Sequence, residues 1–221
     1  MRQIIPAIIT ADENPENDFK ELKRQFEKLE PFITDLGGWV QIDITDGKFV
    51  PEKTTVDLTD LKYFTERANV EFHLMIEKPE ETIGEWVRLG PKRVLVHIEA
   101  AADINELLNV CRENSVEVGL ALNPETPLTM ILPWVNAVDL ILFMGVHPGR
   151  AGQEFIPEVL DKIKSLRREF PNVKIEIDGG VRIENITELK NAGVDYFVIG
   201  SGILKAPDVK KAVEELKEMI K

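Results

Sequence analysis

Eight short apolar segments alternate with longer amphipathic segments along this chain of 221 residues. The longer segments repeat apolar residues every three or four positions, as Leu22, Phe26 and Leu29 do, which is typical of helices that bury one face. Parallel strands need crossover connections, so this alternation predicts a parallel sheet. The predicted strands are Ile4–Thr10, Trp39–Asp43, Val70–Ile76, Arg93–Ile98, Val116–Leu122, Val138–Met144, Val173–Asp178 and Tyr196–Ile199.

A closed (β/α)8 barrel accommodates eight such units in about 220 residues better than an open sheet does. The doubly wound alternative usually shows a G-x-G-x-x-G turn after its first strand. Here that strand ends in Thr10-Ala11-Asp12-Glu13, without glycine. Because no linker or change of composition divides the chain, the sequence predicts an α/β fold with a single TIM-barrel domain over residues 1–221.

The net charge of −12 disfavours nucleic acid and anionic membranes as partners. No apolar run approaches the ~20 residues that span a bilayer. The one cysteine, Cys111, has no partner for an internal disulfide and is expected on the buried face of a helix. These features predict a cytoplasmic protein.

Polar residues end most of the predicted strands. In a (β/α)8 barrel the active-site groups lie at the carboxyl-terminal strand ends, so this set marks a candidate site. Asn123, which precedes Pro124, is interpreted as a turn residue. The strand-end residues are Thr10, Asp43, His73, His97, Asn123, Met144 and Asp178.

Glycine-bearing loops follow the last three strands and indicate a phosphate site. Glycine lets the backbone approach a ligand closely, and free N–H groups at a helix start bind anions. A phosphate site after strands seven and eight recurs in barrel enzymes. Backbone amides would therefore hold an anion that the acidic surface does not attract. The three loops are residues 147–153, 178–181 and 200–203.

Asp43 and Asp178 end strands two and seven, which face each other across a ring of eight strands. Two carboxylates on opposite sides of a small ligand suit proton removal from one face and proton return on the other, as in epimerisation beside a carbonyl. His73 would complete a set of ligands for a catalytic divalent metal with an open position.

The motifs resemble, in order, those of ribulose-phosphate 3-epimerases, metal-dependent (β/α)8 enzymes of the pentose phosphate pathway. They are PAIITAD, WVQIDITDGKFVP, FHLMIEKPE, VHIEA, GLALNPETP, FMGVHPGRAGQEF, IDGGV and AGVDYFVIGSGI. The resemblance implies that Asp43 and Asp178 are the acid–base pair and metal ligands. It implies that His73 contacts metal and substrate, and that Thr10 occupies the position of a substrate-binding serine. Further substrate or phosphate contacts would be Met75, Met144, Gly149, Arg150, Ala151, Gly152, Gly179, Gly180, Gly200 and Ser201.

Besides the mild change from serine to Thr10, three positions depart from the family pattern. Gln41 replaces a metal-binding histidine, Thr45 a pocket methionine and Arg150 a phenylalanine. An amide oxygen is a poor ligand for zinc or ferrous iron, but three ligands suffice for a catalytic metal. Zinc, iron, manganese and magnesium therefore stay open, as does Gln41 as a fourth ligand.

Several functions remain open at this point. The first is an epimerase of a phosphorylated ketose, above all one that converts D-ribulose 5-phosphate to D-xylulose 5-phosphate through an enediolate. Alternatives are an epimerase of another ketose phosphate, a phosphosugar-binding barrel without turnover, and a related aldol or decarboxylation enzyme. The last usually carries Asp-x-Lys-x-x-Asp, and Asp43-Ile44-Thr45-Asp46 lacks that lysine. We also expect a homo-oligomer, and we expect Gly180→Val to weaken phosphosugar binding with little loss of stability.

Overall fold

Parallel strands close into one barrel in the computed structural model, which describes residues 2–10, 15–149 and 152–221. Each strand pairs with the next in sequence, and the first pairs with the eighth, so the predicted TIM-barrel fold is confirmed. The strands are β1 (Gln3–Ile8), β2 (Trp39–Thr45), β3 (Asn69–Met75), β4 (Arg93–His97), β5 (Glu117–Leu122), β6 (Leu140–Met144), β7 (Lys174–Asp178) and β8 (Tyr196–Ile199).

Helices connect most strands and surround the barrel. Asp103 and Asp208 cap the first turns of the helices Ile104–Glu113 and Val209–Ile220 by accepting from the backbone N–H of Glu106 and Lys211. Between β5 and β6 a short 3-10 helix at Leu128–Met130 replaces an α-helix. The α-helices are α1 (Pro15–Ile33), α2 (Lys62–Thr65), α3 (Ile83–Val87), α4 (Ile104–Glu113), α5 (Val159–Glu169), α6 (Ile183–Ala192), α7 (Ser201–Leu204) and α8 (Val209–Ile220).

Most predicted strands differ from the observed ones by one or two residues at an end. Thr10 lies two residues beyond β1, and β2 continues from Asp43 to Thr45. Cys111 is fully buried in α4, as predicted. None of the helices in the described part of the chain is long and apolar enough to cross a membrane.

The two faces of each strand contribute to different parts of the core. Outward residues such as Ile42 and Phe72 belong to the large apolar cluster between barrel and helices. On the inner face, Gln41 is in register with Glu71, and Asp43 is in register with His73. Alternation along β2 and β3 therefore places amide, carboxylate and imidazole groups inside the barrel.

A charged cluster lies inside the barrel one layer below Asp43. The Arg93 guanidinium is 2.7 Å from Glu71 Oε2, 3.5 Å from Glu176 Oε2 and 2.8 Å from Glu117 Oε2. It also stacks on the Trp39 ring at 4.3 Å. Burial raises the pKa of Glu176 well above its usual range, and the charge of Glu71 adds to this while Arg93 opposes it. This half of the barrel interior is thus polar beneath the candidate site.

Candidate active site

A cavity of about 330 Å³ opens at the carboxyl-terminal ends of the strands. Its wall includes carboxylates, methionine side chains and glycine loops that the sequence placed in the site. Those predicted residues are Asp43, Met75, Met144, Gly149, Gly152, Asp178, Gly179, Gly180, Gly200 and Ser201.

The side-chain amide of Gln41 links the two predicted catalytic carboxylates. Its Nε2 atom donates to Asp43 Oδ1 and to Asp178 Oδ2, both at 2.7 Å. The side chains of Asp43 and Asp178 keep 11% and 14% exposure, so each carboxylate still reaches the cavity. β2 and β7 thus bring together two carboxylates that stand 135 positions apart in the chain (178 − 43).

His73 lies beneath this pair and is fully buried. Its Nδ1 atom is 3.2 Å from Asp43 Oδ1 and 3.3 Å from Asp178 Oδ2. Burial alone would lower the pKa of His73, but hydrogen bonds and charges from Asp178 and Asp43 outweigh it and raise the pKa to about 10. The imidazole therefore carries a proton when no metal ion is bound.

The other ring nitrogen of His73 begins a second chain of contacts. His73 Nε2 is 2.9 Å from His97 Nε2, and His97 Nδ1 is 3.3 Å from Glu99 Oε2. Burial lowers the pKa of His97 to about 4, and the positive charge of His73 adds to this although Glu99 opposes it. Neutral His97 thus accepts from His73 and donates to Glu99.

Burial also gives Asp43 a pKa that differs from that of an ordinary surface carboxylate. It raises the pKa of Asp43, and the negative charge of Asp178 raises it further, while His73 and Gln41 pull it down. A carboxyl group that holds its proton more firmly can serve as the acid of an acid–base pair.

Asp43, His73 and Asp178 form a cluster whose ligand atoms all lie within 4.8 Å of one another. Two carboxylate oxygens and one imidazole nitrogen are suitable ligands for manganese, iron or zinc. Among the described residues, the carbonyl oxygen of Gln41 is buried without a hydrogen-bond partner, so this side chain holds a spare oxygen beside the cluster. The donor set therefore fits a divalent metal ion.

The two glycines after β7 are required both by their positive φ angles and by the close packing around them. Gly179 and Gly180 have φ of 97° and 68°. A Cβ atom on Gly180 would lie 2.7 Å from the backbone N and Cα of Phe155. The expectation that Gly180→Val costs little stability is therefore wrong, because the valine would collide with main chain and strain φ.

Several predicted site residues do not line the cavity. His73 and Gln41 lie below it, fully buried. Thr10 is buried and donates its hydroxyl to Asp18. Arg150 and Ala151 lie outside the described residues.

Thr45 and Asp46 have structural partners. Thr45 Oγ1 is 3.1 Å from Thr54 Oγ1. Asp46 accepts from the backbone N–H of Lys48, Phe49 and Glu77 at 2.8–2.9 Å, which ties the loop after β2 to the loop after β3. Of the two carboxylates after Ile42, Asp43 is therefore the one that faces the cavity.

Sequence reasoning did not assign a role to His97 or Glu99. The sequence feature that could have indicated their contact is the H-x-E spacing of His97 and Glu99 at the end of β4, because alternate residues share a strand face. Glu99 also accepts from the backbone N–H of Asn123 and from the Thr126 hydroxyl. These bonds and that from His97 lower the pKa of Glu99 although its burial works to raise it.

Comparison with known proteins identifies the family. The sequence model of the ribulose-phosphate 3 epimerase family matches residues 4–204. This chain belongs to that family. The prediction of an isomerase of the ribulose-phosphate 3-epimerase kind is thereby confirmed.

Family members and more distant barrels both cover nearly the whole chain. The ribulose-phosphate 3-epimerase of Escherichia coli (strain K12) is 33% identical over 220 residues, which is 97% of this chain and 94% of that protein. The ribulose-phosphate 3-epimerase of Schizosaccharomyces pombe is 31% identical over 207 residues, 92% of this chain and 90% of that protein. A solved structure of 3-keto-L-gulonate-6-phosphate decarboxylase from Vibrio cholerae has a TM-score of 0.74 at 14% identity and covers 100% of this chain and 98% of its own. At that identity the likeness concerns the fold alone.

Proposed function

We propose that this epimerase-family protein interconverts D-ribulose 5-phosphate and D-xylulose 5-phosphate by proton transfer at C3. The observation that carries the proposal is the pair Asp43 and Asp178, joined through Gln41 and both exposed to the cavity. Phosphate binding alone does not require two carboxylates at this place, so their arrangement supports turnover over simple binding.

In one direction, one carboxylate accepts the proton from C3, and the electron pair moves toward the C2 carbonyl to give an enediolate. The other carboxyl group then donates its proton to the opposite face of C3, and the two residues have exchanged protonation states. The reverse reaction uses the same groups in opposite roles.

The phosphate would lie at the other end of the cavity. Gly180, Gly200 and Ser201 line that end, after β7 and β8. Their backbone N–H groups are the donors that we propose for the phosphate oxygens. Met75 and Met144 would pack against the carbon chain.

Asp43, His73 and Asp178 would hold a divalent metal ion, with the Gln41 oxygen as a fourth ligand. Such an ion polarises the ketose carbonyl and offsets negative charge that develops on its oxygen. The mixed oxygen and nitrogen donors support manganese or iron beside zinc.

The decarboxylase activity of the Vibrio cholerae barrel does not carry over to this chain, since the likeness concerns the fold alone. The absence of lysine between Asp43 and Asp46 argues against it.

Purified protein tests the proposal directly. Its metal content is measured first, and D-ribulose 5-phosphate is then offered beside ketohexose 6-phosphates, with product formation followed by NMR in D2O. We expect interconversion and incorporation of deuterium at C3. Binding of these sugars without exchange or interconversion would identify a binding protein instead.

A further inference from the structure

The Gln41 amide nitrogen occupies the centre of the candidate metal cluster. It lies 2.7 Å from Asp43 Oδ1, 2.7 Å from Asp178 Oδ2 and 3.5 Å from His73 Nδ1. The side chain is fully buried. One N–H2 group therefore takes the place of a cation between two negative charges.

In this orientation the amide is satisfied at its N–H2 end and left unsatisfied at its carbonyl end. Gln41 Oε1 is buried and has no hydrogen-bond partner in the part of the chain that the structure describes. A buried acceptor without a donor is unfavourable, yet without an ion the reverse orientation would be worse. It would place the carbonyl oxygen against two carboxylate oxygens, which can only accept.

We propose that the Gln41 amide has two working orientations that depend on the metal ion. Without an ion, its N–H2 group holds Asp43 and Asp178 together. With an ion, the amide turns over about the Cγ–Cδ bond, and Oε1 becomes the fourth ligand. Gln41 thus keeps the two reacting carboxylates in place in both states. This inference rests on the metal site of the proposed function.

The observed spacings suit the second orientation. Ligand atoms bonded at about 2.1 Å to one divalent ion stand about 3.0–3.4 Å apart at neighbouring corners of an octahedron or tetrahedron. The amide end lies 2.7–3.5 Å from the three other ligand atoms. Rotation exchanges N and O at that end with little displacement of the chain.

Buried acceptors are present in the same part of the barrel interior. Glu71 is in register with Gln41 on the neighbouring strand. Among the described residues, Glu71 Oε1 and Glu176 Oε1 are buried acceptors without a hydrogen-bond donor. Turning the amide over directs its donors away from Asp43 and Asp178 and frees them for another acceptor.

Two substitutions separate the functions of the amide. Gln41→Leu removes both donor and ligand, while Gln41→Glu keeps a ligand oxygen and removes the donor. Gln3→Leu makes the same change at the opposite end of the barrel, on β1, and serves as the matched control. Each full-length protein is freed of metal with EDTA, its Tm is recorded, and Mn²⁺ is titrated by calorimetry.

We expect Gln41→Leu to lower the Tm of the metal-free protein by about 5 °C and to weaken Mn²⁺ binding by about 10–100-fold. Gln41→Glu should lower the metal-free Tm further, because it adds a third carboxylate, and should tighten Mn²⁺ binding at least about tenfold. Gln3→Leu should leave the Mn²⁺ affinity unchanged. Parent-like Mn²⁺ affinity in Gln41→Leu, or a parent-like metal-free Tm in Gln41→Glu, overturns the inference.

NMR provides a readout that is independent of affinity and activity. The side-chain N–H2 signal of Gln41 is assigned by its loss in Gln41→Leu, and we expect it to shift when Zn²⁺ saturates the parent protein. A signal that keeps its position at saturation overturns the rotation. A protein that epimerises ribulose 5-phosphate but binds no divalent ion also overturns it, and leaves the proposed activity intact.

Discussion

The imidazole rings of His73 and His97 stack with their Nε2 atoms 2.9 Å apart, and His97 is held in turn by Glu99. This contact fixes which nitrogen of His73 points to Asp43 and Asp178. Partners of this kind set the orientation and basicity of a metal-binding imidazole. We therefore propose His97 and Glu99 as positioning residues for His73.

Glu99→Gln and His97→Asn should each reduce metal affinity or kcat by about 10–100-fold with little change in KM. The reason is that His73 loses the partner that fixes its ring. Mn²⁺ titration and steady-state kinetics measure both quantities. Glu113→Gln, at the exposed end of α4, is the control for loss of a carboxylate. Parent-like values for both positioning variants would reduce the His97–Glu99 contact to a packing role.

The buried neutral His97 predicts a loss of stability in mild acid. Its pKa of about 4 in the folded protein lies below the ordinary value of 6.5, so only the unfolded chain takes up this proton between those pH values. The stabilisation is complete above pH 6.5 and falls by up to about 3 kcal/mol as pH drops through 4. Urea unfolding of metal-free protein at several pH values measures it. His97→Asn should lose stability less steeply, and equal slopes for both proteins would contradict the assignment.

The acid–base pair predicts a large effect of each aspartate. Asp43→Asn and Asp178→Asn should each lower kcat by at least about 10²–10⁴-fold, because one face of C3 loses its proton carrier. In D2O, a variant should still exchange the C3 proton of one epimer while failing to interconvert the two. Metal content is measured in each variant, since both residues are also candidate ligands. Near-normal epimerisation by either variant would exclude the two-carboxylate mechanism.

The proposed phosphate site predicts sensitivity to charge at Ser201. Ser201→Asp places a carboxylate at the start of α7, on the cavity wall, without the collision that a side chain at Gly180 meets. Repulsion of the phosphate should raise KM and the Kd of inorganic phosphate at least about tenfold, with a smaller effect on kcat. Ser165→Asp on α5 is the matched control. If both variants bind phosphate equally well, the phosphate lies elsewhere.

Replacement of Arg93, which lies away from the cavity, should strongly lower the free energy of unfolding. Arg93→Met leaves the buried Glu71 without its positive partner 2.7 Å away, and loss of one partner in such a pair costs about 3–5 kcal/mol. Chemical unfolding measures the loss. Arg88→Met, at an exposed arginine after α3, should change stability by less than about 0.5 kcal/mol. A small effect at Arg93 would show that Glu71 is not charged in the folded protein.

The sequence by itself determined the barrel and pointed to Asp43 and Asp178 as the candidate acid–base pair. Alternating apolar and amphipathic segments have few parallel-sheet solutions, and strand periodicity puts Asp43 on the inner face at a carboxyl-terminal end. Asp178 follows from the same rule applied to β7. These conclusions need only local pattern and the geometry common to all (β/α)8 barrels.

Only the tertiary structure decided what these groups contact. Gln41, Asp43, His73 and Asp178 come from three strands, and their hydrogen bonds depend on register and on rotamers that a linear pattern does not contain. The same holds for the contact from His73 to His97 and for the buried Arg93 cluster. Burial creates their pKa shifts, and burial is a property of the closed barrel, because each charge loses its water only when all eight strands surround it.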